Sequence, residues 1–470
     1  MKFNIFLLAV DSFRADKCFG ESKTSITPNI DNLINKGVYF SQAISSAGQT
    51  IPSIASLFTG IYPFISSTRE DTHHYVMNPN VPCMLEDLKD NEYELHAIVP
   101  DEIPLFGLTR NFGNNVKTFP APLTIYDGVG DQILKFLKSK QKEPWFLYTH
   151  LVDLHGSAKI VTKQMPKEYT DKKFGKNRYE RTLSCLDKWL GKIFHSINFE
   201  NTIVIVIGDH GSEDASYNDD TEKRKKDTRL VEPNIVHHII SKIGNKAPDF
   251  LKPIKSSLRK KNLENRKRVV NSRQQKEITK INKMDISPFE RRILLHSVKP
   301  ENHVYDERFR IPLIFCGPSI CSNSIVNKQV KMVDVFPTIL DLLGIKLDKY
   351  ETHGQSLLSF LKGRDLEEIP ALIDSAGNWD RSNSSNSIGI RTSKYKYFRD
   401  KGDQKKNVHL FDLVNDPLEE KNIAPENISL ITHFEKIIKE TMSKNISMNE
   451  KDLIRRKIAK KYKKLFLQKN

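Results

Sequence analysis

The stretch Asn4-Ile-Phe-Leu-Leu-Ala-Val-Asp-Ser-Phe-Arg-Ala-Asp16 decides how the rest of the chain is read. Ile5 to Val10 is apolar without alternation, the pattern of a strand buried on both faces. The run is short, has one Lys ahead of it, and passes into Asp11 and Arg14 with no small-residue cleavage site, so it reads as a strand and not a secretion signal. Further runs of strand length follow at Leu95–Val99, Trp145–Thr149, Thr202–Ile207 and Ile311–Cys316, separated by helix-like stretches. Strands alternating with helices predict an α/β fold with a doubly wound, mostly parallel sheet. Such sheets bind ligands beyond the carboxyl ends of their strands. Asp11, His150, Asp209 and His210 fall there, each just after an apolar run.

Around this frame the chain is large and unevenly charged. Its 470 residues and 38% hydrophobic share provide for a sizeable core and exclude global disorder. No run of about twenty apolar residues predicts a membrane span. Residues 221–293 hold 21 Lys/Arg against 8 Asp/Glu, and residues 451–470 hold nine against one. The net charge of +16 therefore resides in those two segments, and the remainder is mildly acidic. The reading is a catalytic domain over 1–370 with a basic insertion at about 214–298, a small antiparallel sheet over 371–430, and a basic helical tail over 431–470. In that tail Ile454, Ile458, Tyr462 and Leu465 recur at helical spacing beside Lys and Arg, as in a helix lying on an anionic membrane surface or packed on the core. No nucleic-acid motif accompanies the basic insertion, so no nucleic-acid partner is expected. The five cysteines are odd in number, widely spaced and without a CxxC pair, which argues against a disulfide framework and favours a cytoplasmic setting, with the tail as a peripheral membrane contact.

The chemistry-bearing residues are scattered. In Thr50-Ile-Pro-Ser-Ile-Ala-Ser-Leu-Phe-Thr-Gly60, Pro52 at a first helical position and Gly60 after the last turn bracket a short helix with Thr50 at its N-terminus. Unpaired N–H groups favour an anion at such a terminus, although Thr is also an ordinary helix cap. Asp11, Asp209 and His210 carry the donor types that hold a divalent cation, and a cation beside Thr50 would acidify its hydroxyl. The competing reading makes each Asp a helix cap. His150-Leu-Val-Asp-Leu-His155 places two imidazoles close together, and His303 lies far along the chain; imidazoles near a cation hold anionic substrate or protonate a leaving oxygen.

The order of these segments resembles the sulfatase family of the alkaline phosphatase superfamily across nearly the whole chain. Asn4 to Asp16 is similar to its opening strand and Asp-x-x-Arg-x-Asp signature, Thr27 to Phe40 to its TPNID segment, and Thr50 to Gly60 to its nucleophile signature. Phe146 to His155, Ile207 to Gly211, His303 to Ile314 and Val333 to Gly344 follow in the family order, and Arg391 to Tyr397 and His409 to Pro417 fit its closing sheet. The resemblance implies one divalent metal on Asp11, Thr50, Asp209 and His210, with His155 and His303 as catalytic groups and His150, His155 and His303 toward the substrate. Mn or Zn suits the mixed oxygen and imidazole donors better than Ca or Mg.

The departures from the family pattern bear on the chemistry. Formylglycine sulfatases mature a Cys or Ser where this chain has Thr50, whose Cβ methyl prevents the aldehyde, so no formylglycine is expected. The signature's Arg is Ile54, a common second Asp is Ser12, and the usual Asp-Asn metal pair is Asp209-His210. This pattern is closer to relatives with an unmodified Thr nucleophile. The expected function is hydrolysis of a phosphate or phosphonate ester through a covalent Thr50 intermediate. The alternatives are a sulfatase working without formylglycine, a transferase of phosphoglycerol or phosphoethanolamine groups to a glycan or lipid head group, and a non-catalytic binding protein.

Overall fold

A computed structural model describes residues 2–69, 75–121, 123–155, 166–229, 252–300, 303–347, 351–375 and 386–444. Its strands are β1 (Asn4–Val10), β2 (Val38–Ile44), a hairpin of β3 (Ser67–Arg69) and β4 (Tyr75–Met77), β5 (Glu94–Pro100), β6 (Val116–Phe119), β7 (Trp145–Leu151), β8 (Thr202–Gly208), β9 (Arg310–Cys316), β10 (Ser324–Val326) and β11 (Val330–Lys331). Four more follow: β12 (Ala371–Asp374), β13 (Ser387–Arg391), β14 (Tyr395–Asp400) and β15 (His409–Asp412). Of the basic tail expected over 431–470, residues 431–443 belong to the helix Ile428–Ser443, while 445–470 lie outside the described residues, as do the insertion's residues 230–251.

Nine strands form the main sheet in the order β10-β2-β9-β8-β1-β7-β5-β6, with β11 beside β2. β1, β7 and β8 are buried along their whole length because helices cover both faces. Alternate side chains divide between two cores. Ile5, Leu7, Ala9, Ile203 and Ile205 pack with Ile54, Leu57 and Phe58 of the Thr50–Thr59 helix. Phe6, Leu8, Val10, Val204 and Val206 pack on the other side with Leu183, Leu186 and Leu190 of the Arg178–His195 helix. The continuous apolar runs in the sequence are the two interleaved faces of one sheet.

Pairing direction sets the place of the site. β1 runs parallel to β7 and β8, so their carboxyl ends share one edge. β9 is antiparallel to both β8 and β2, so β9 starts at the edge where they end. Ile44 at the end of β2 pairs with Arg310 at the start of β9. The segments after β1, β2, β7 and β8 and the segment before β9 thus converge on one rim. Two local expectations need correction. His150 lies inside β7 instead of after it, and Pro52 is the third residue of its helix, which begins at Thr50.

Ser216–Glu301 is a compact unit of its own, apart from the unit of Met1–Ala215 and Asn302–Asn470. Within it the helices Asp219–Arg229, Lys252–Asn282 and Pro288–Val298 pack on one another. Ser287 caps the last of these, accepting from Glu290 N at 3.2 Å. All five cysteines are free thiols. Among the described residues no helix is long and apolar enough to cross a membrane.

The strands β12-β13-β14-β15 make a wholly antiparallel second sheet. A buried ion network ties it to the segment ahead of β9. Lys396 Nζ, with no solvent exposure, bonds Asp306 and lies 2.9 Å from Glu419 Oε1, while Arg391 Nη2 lies 2.9 Å from Asp306 Oδ2. Burial works against ionising Asp306, but Arg391 and Lys396 hold its carboxyl well below the usual range. Removing the lysine takes from Asp306 and Glu419 the buried cation they share. Lys396→Ala is expected to destabilise the protein by about 3–5 kcal/mol in denaturant unfolding. Because the Asp306 pKa is depressed on folding, its stabilising contribution is present above the unfolded carboxylate value near 3.8 and is lost as pH falls below it. The gap between wild type and Lys396→Ala should therefore narrow below about pH 4; a gap independent of pH down to 2 would count against the pairing.

Candidate active site

The end of β1 carries the first carboxylate. Asp11 N donates to Leu151 O at 2.8 Å, which keeps the residue in line with β7. Ser12 then turns into the left-handed region at φ 62°. That costs a non-glycine residue of order 1 kcal/mol, and the turn is held from three sides. Ser12 N donates to Asp209 Oδ1 at 3.0 Å, Ser12 Oγ to Asp11 Oδ1 at 2.8 Å, and Tyr179 OH to Ser12 O at 2.7 Å. Arg14 and Asp16 form a bidentate pair at 2.8 Å on both arms, and Arg14 Nη1 reaches Ser212 O at 3.2 Å. The Asp-x-x-Arg-x-Asp motif here combines a site carboxylate with its own scaffold.

The end of β8 carries the second carboxylate and an imidazole. Asp209 Oδ1 accepts from His210 N at 2.6 Å, and His210 Nδ1 is 2.8 Å from Gly211 O, which leaves Nε2 facing the rim. Gly211 is required by close approach, since a Cβ there would lie 2.3 Å from Glu307 O. Thr50 enters after β2. Ser45 Oγ donates to Asp209 O at 2.6 Å and is 3.1 Å from Ser53 Oγ, which itself donates to Ala47 O at 2.9 Å. Two buried hydroxyls thus fasten the turn before Thr50 to the end of β8.

These pieces meet. Thr50 Oγ1 is 3.4 Å from Asp11 Oδ2 and 3.4 Å from His210 Nε2. His210 Nε2 is 3.8 Å from Asp11 Oδ1 and 3.6 Å from Asp209 Oδ2. Asp11, Asp209 and His210 each offer an atom to a group spanning no more than 4.8 Å. None of the sequence's helix-cap alternatives is seen for the two aspartates: the helix after Asp11 is capped by Arg14, and Asp209 bonds Ser12 N and His210 N. Donors at 3.4–3.8 Å are mostly too far apart to satisfy one another. A cation with ligands at about 2.1 Å holds tetrahedral neighbours about 3.4 Å apart. Asp209 Oδ2 is fully buried and has no hydrogen-bond partner, which an ion would supply. The donor set fits a divalent metal.

Electrostatics agree with that fit. Burial opposes ionising Asp11, but the imidazoles of His155, His150 and His210 hold its carboxyl well below the usual range. Burial, and then the charge of Asp11, push the Asp209 carboxyl up. The two buried acids are thus pushed in opposite directions, Asp11 toward the anion and Asp209 away from it.

The remaining histidines take different places. His155 is exposed, and its charge acts on Asp11. His150 is buried with Nε2 3.9 Å from Asp11 Oδ2 and 4.0 Å from Asp209 Oδ2. His303 Nε2 is 2.7 Å from Glu213 Oε1, and the same carboxylate takes Arg308 in a bidentate pair at 2.7 and 2.8 Å. Arg308 also reaches Gly48 O at 3.2 Å, next to the Thr50 turn. Asp153 turns elsewhere: it accepts from Ile125 N at 3.1 Å, and burial lifts its carboxyl to about 7. Sequence reasoning missed Ser45, Ser53, Tyr148, Tyr179, Glu213 and Arg308. The signals available were Glu213 close after the Asp209-His210 pair and Tyr148 two residues before His150, hence on the same strand face.

A family model described as "Sulfatase" matches residues 3–345, and one described as "N-sulphoglucosamine sulphohydrolase, C-terminal" matches 296–448. Arylsulfatase K of Mus musculus is 34% identical over 129 residues, 26% of this chain and 23% of that protein, so the alignment spans about a quarter of that relative. Arylsulfatase K of Danio rerio is 19% identical over 475 aligned positions, covering 93% of this chain and 83% of that protein. Among solved structures, a 2-O GAG sulfatase aligns with TM-score 0.62 and 17% identity over 96% of both chains. The phosphonate monoester hydrolase of Agrobacterium radiobacter aligns with TM-score 0.61 and 14% identity, covering 94% of this chain and 96% of that one. At those identities the two structures speak for the fold, while the family model takes in most of the chain: this protein belongs to the sulfatase family of ester hydrolases.

Proposed function

We propose that this chain hydrolyses a phosphate or phosphonate ester through a covalent Thr50 intermediate, with one divalent cation held by Asp11, Thr50, Asp209 and His210. The observation that carries the reading is the Thr50 hydroxyl, 3.4 Å from both Asp11 Oδ2 and His210 Nε2 at the start of a ten-residue helix. A divalent cation bound there supplies Lewis acidity toward a non-bridging oxygen and favours the ionised Thr50 oxygen. Mn or Zn suits two carboxylates, a hydroxyl and an imidazole better than Ca or Mg.

The chain's own residues do the rest. Thr50 Oγ1 forms the bond to phosphorus as the bond to the ester oxygen breaks. The departing oxygen takes a proton from His155 or His303, and the proton shed by Thr50 goes to solvent; water then displaces Thr50 from phosphorus, its hydroxide staying on phosphorus and its proton restoring that imidazole, while the Thr50 oxygen leaves ionised as it began. Helix N–H groups beyond Thr50 face charge developing on the phosphoryl oxygens. Glu213 orients His303, and Arg308 shares its charge. The Cβ methyl of Thr50 bars a formylglycine aldehyde, so the nucleophile is the hydroxyl itself.

A second reading, hydrolysis of a sulfate ester on an anionic glycan by the same Thr50, draws support from the Danio rerio Arylsulfatase K alignment across 93% of the chain. Brief incubation with a phosphate diester, a phosphonate ester or an aryl sulfate, followed by peptide mapping, separates the two. An adduct on Thr50 from the phosphorus esters is expected; an adduct from the aryl sulfate alone would transfer the assignment to the second reading. Thr50→Ala should lower kcat by about 10³-fold or more, while Thr50→Ser keeps measurable turnover. Activity of Thr50→Ala within tenfold of wild type would refute the covalent role.

Ser45 has a weaker but separable role. Ser45→Ala deletes the hydroxyl under the Thr50 turn, and should cost about 1–2 kcal/mol in thermal or urea unfolding. The displaced turn should also lower kcat/KM by about tenfold or more. Unchanged kinetics in a folded variant would show that the turn holds Thr50 without it.

A further inference from the structure

His150 is 1% exposed within β7, and its two ring nitrogens meet different surroundings. Nδ1 is 2.9 Å from the hydroxyl of Tyr148, two residues earlier on the same face. Nε2 has no hydrogen-bond partner. It points to the gap bounded by Asp11 Oδ2 at 3.9 Å and Asp209 Oδ2 at 4.0 Å. The Asp209 Oδ2 atom is the other buried orphan of this rim. An imidazole and a carboxylate oxygen left dry and unpaired are each unfavourable, and together they are more so unless a third body lies between them. Were the pair a simple salt bridge, an imidazolium N–H would close to within about 3 Å of a carboxylate oxygen. The gap is instead wide for a hydrogen bond, wider than neighbouring ligands of one ion and within the about 4.2 Å that opposite ligands span.

Other donors do not fill that position. Ser12, which follows Asp11, commits its hydroxyl to Asp11 Oδ1 at 2.8 Å and its N–H to Asp209 Oδ1 at 3.0 Å. Tyr148 is fully buried behind the imidazole, and its hydroxyl oxygen can accept from His150 Nδ1–H, the tautomer that leaves Nε2 bare. A ligating histidine is ordinarily oriented in this way by a hydrogen bond at its second nitrogen.

We propose that His150 Nε2 is a further protein ligand of the cation at Asp11, Thr50, Asp209 and His210, oriented by the Tyr148 hydroxyl. This rests on the cation reading given above and adds a second imidazole to its shell. Two imidazoles, two carboxylates and a hydroxyl favour Zn or Mn over Ca and Mg more strongly than one imidazole does. His150 then belongs to the metal, and the substrate-facing histidines are His155 and His303.

The test uses untagged full-length protein loaded with one equivalent of zinc. X-ray absorption at the zinc edge counts imidazole ligands, and calorimetry gives the affinity; Asp209→Asn assigns the signal to this rim. Two imidazoles are expected in the wild type and one in His150→Gly, with added imidazole restoring the second. Tyr148→Phe should weaken zinc binding by about tenfold, and His150→Gly by more. One imidazole in the tightly bound wild-type site would overturn the inference and leave the cation reading standing. Wild-type protein that binds no zinc or manganese at this rim would overturn both. The wild-type count does not depend on whether either variant folds.

Discussion

Two carboxylates buried side by side are the constraint on which this site depends. Asp11 and Asp209 end neighbouring parallel strands, and their ligand atoms lie within 4.8 Å of each other. At an effective dielectric near 20, two such charges repel by about 3–4 kcal/mol. The fold answers this locally: Ser12 N and His210 N donate to Asp209 Oδ1, Ser12 Oγ donates to Asp11 Oδ1, and imidazoles face the remaining oxygens. What is left over is negative, partly unbonded and closed off from water. The acids are placed by strand register and cannot move apart without breaking the sheet, so the site is organised before any ligand arrives.

That register also explains why residues far apart in sequence converge. Parallel pairing of β1 with β7 and β8 brings Asp11, His150 and Asp209 together, as any doubly wound sheet would bring residues at its strand ends together. Thr50 and Arg308 come from a less regular feature. β9 runs against both neighbours, so its entry segment, with Arg308 and Glu307, reaches the same rim as the exit of β2. One reversed strand therefore lets a helix N-terminus, two acids and an Arg–Glu–His cluster share one opening.

Much of this was legible in the chain because its carriers are local. Apolar runs without alternation mark the central strands, and Asp11 and Asp209 stand immediately after two of them. Gly60 marks the end of the helix that Thr50 begins, with φ 66° in the left-handed region. The supporting shell was not legible, for a physical reason. Ser45, Ser53 and Tyr179 act through single hydroxyls whose partners are set by tertiary packing, and no spacing rule distinguishes them from the chain's other serines and tyrosines. Ser12 is similar: its left-handed backbone is imposed by Asp209 Oδ1, 197 residues away. β9 reads as one more apolar run, because burial on both faces looks alike in parallel and antiparallel strands. The 214–298 segment stands out by charge alone, and charge marks a change of partner for the chain without indicating which fold it takes.

The Thr50 helix shows why its departures from the family signature belong together. Residues four apart share a helix face, so Ile54 lies one turn below Thr50. It is fully buried and packs into the core with Leu7, Ala9 and Ile207. A guanidinium at that position would need an anionic partner within an apolar cluster, and none of those neighbours offers one. With Ile54 the helix loses a fixed cation and gains a dry foundation. On the reading proposed above, positive charge for an anionic ester would come from the rim itself, from His155, His210 and an ion between the acids. A threonine nucleophile fits that division of labour, because an unmodified hydroxyl depends on nearby positive charge to ionise and needs no maturation. On that proposed reading, Thr50, Ile54 and His210 express one chemical choice at three positions of the chain.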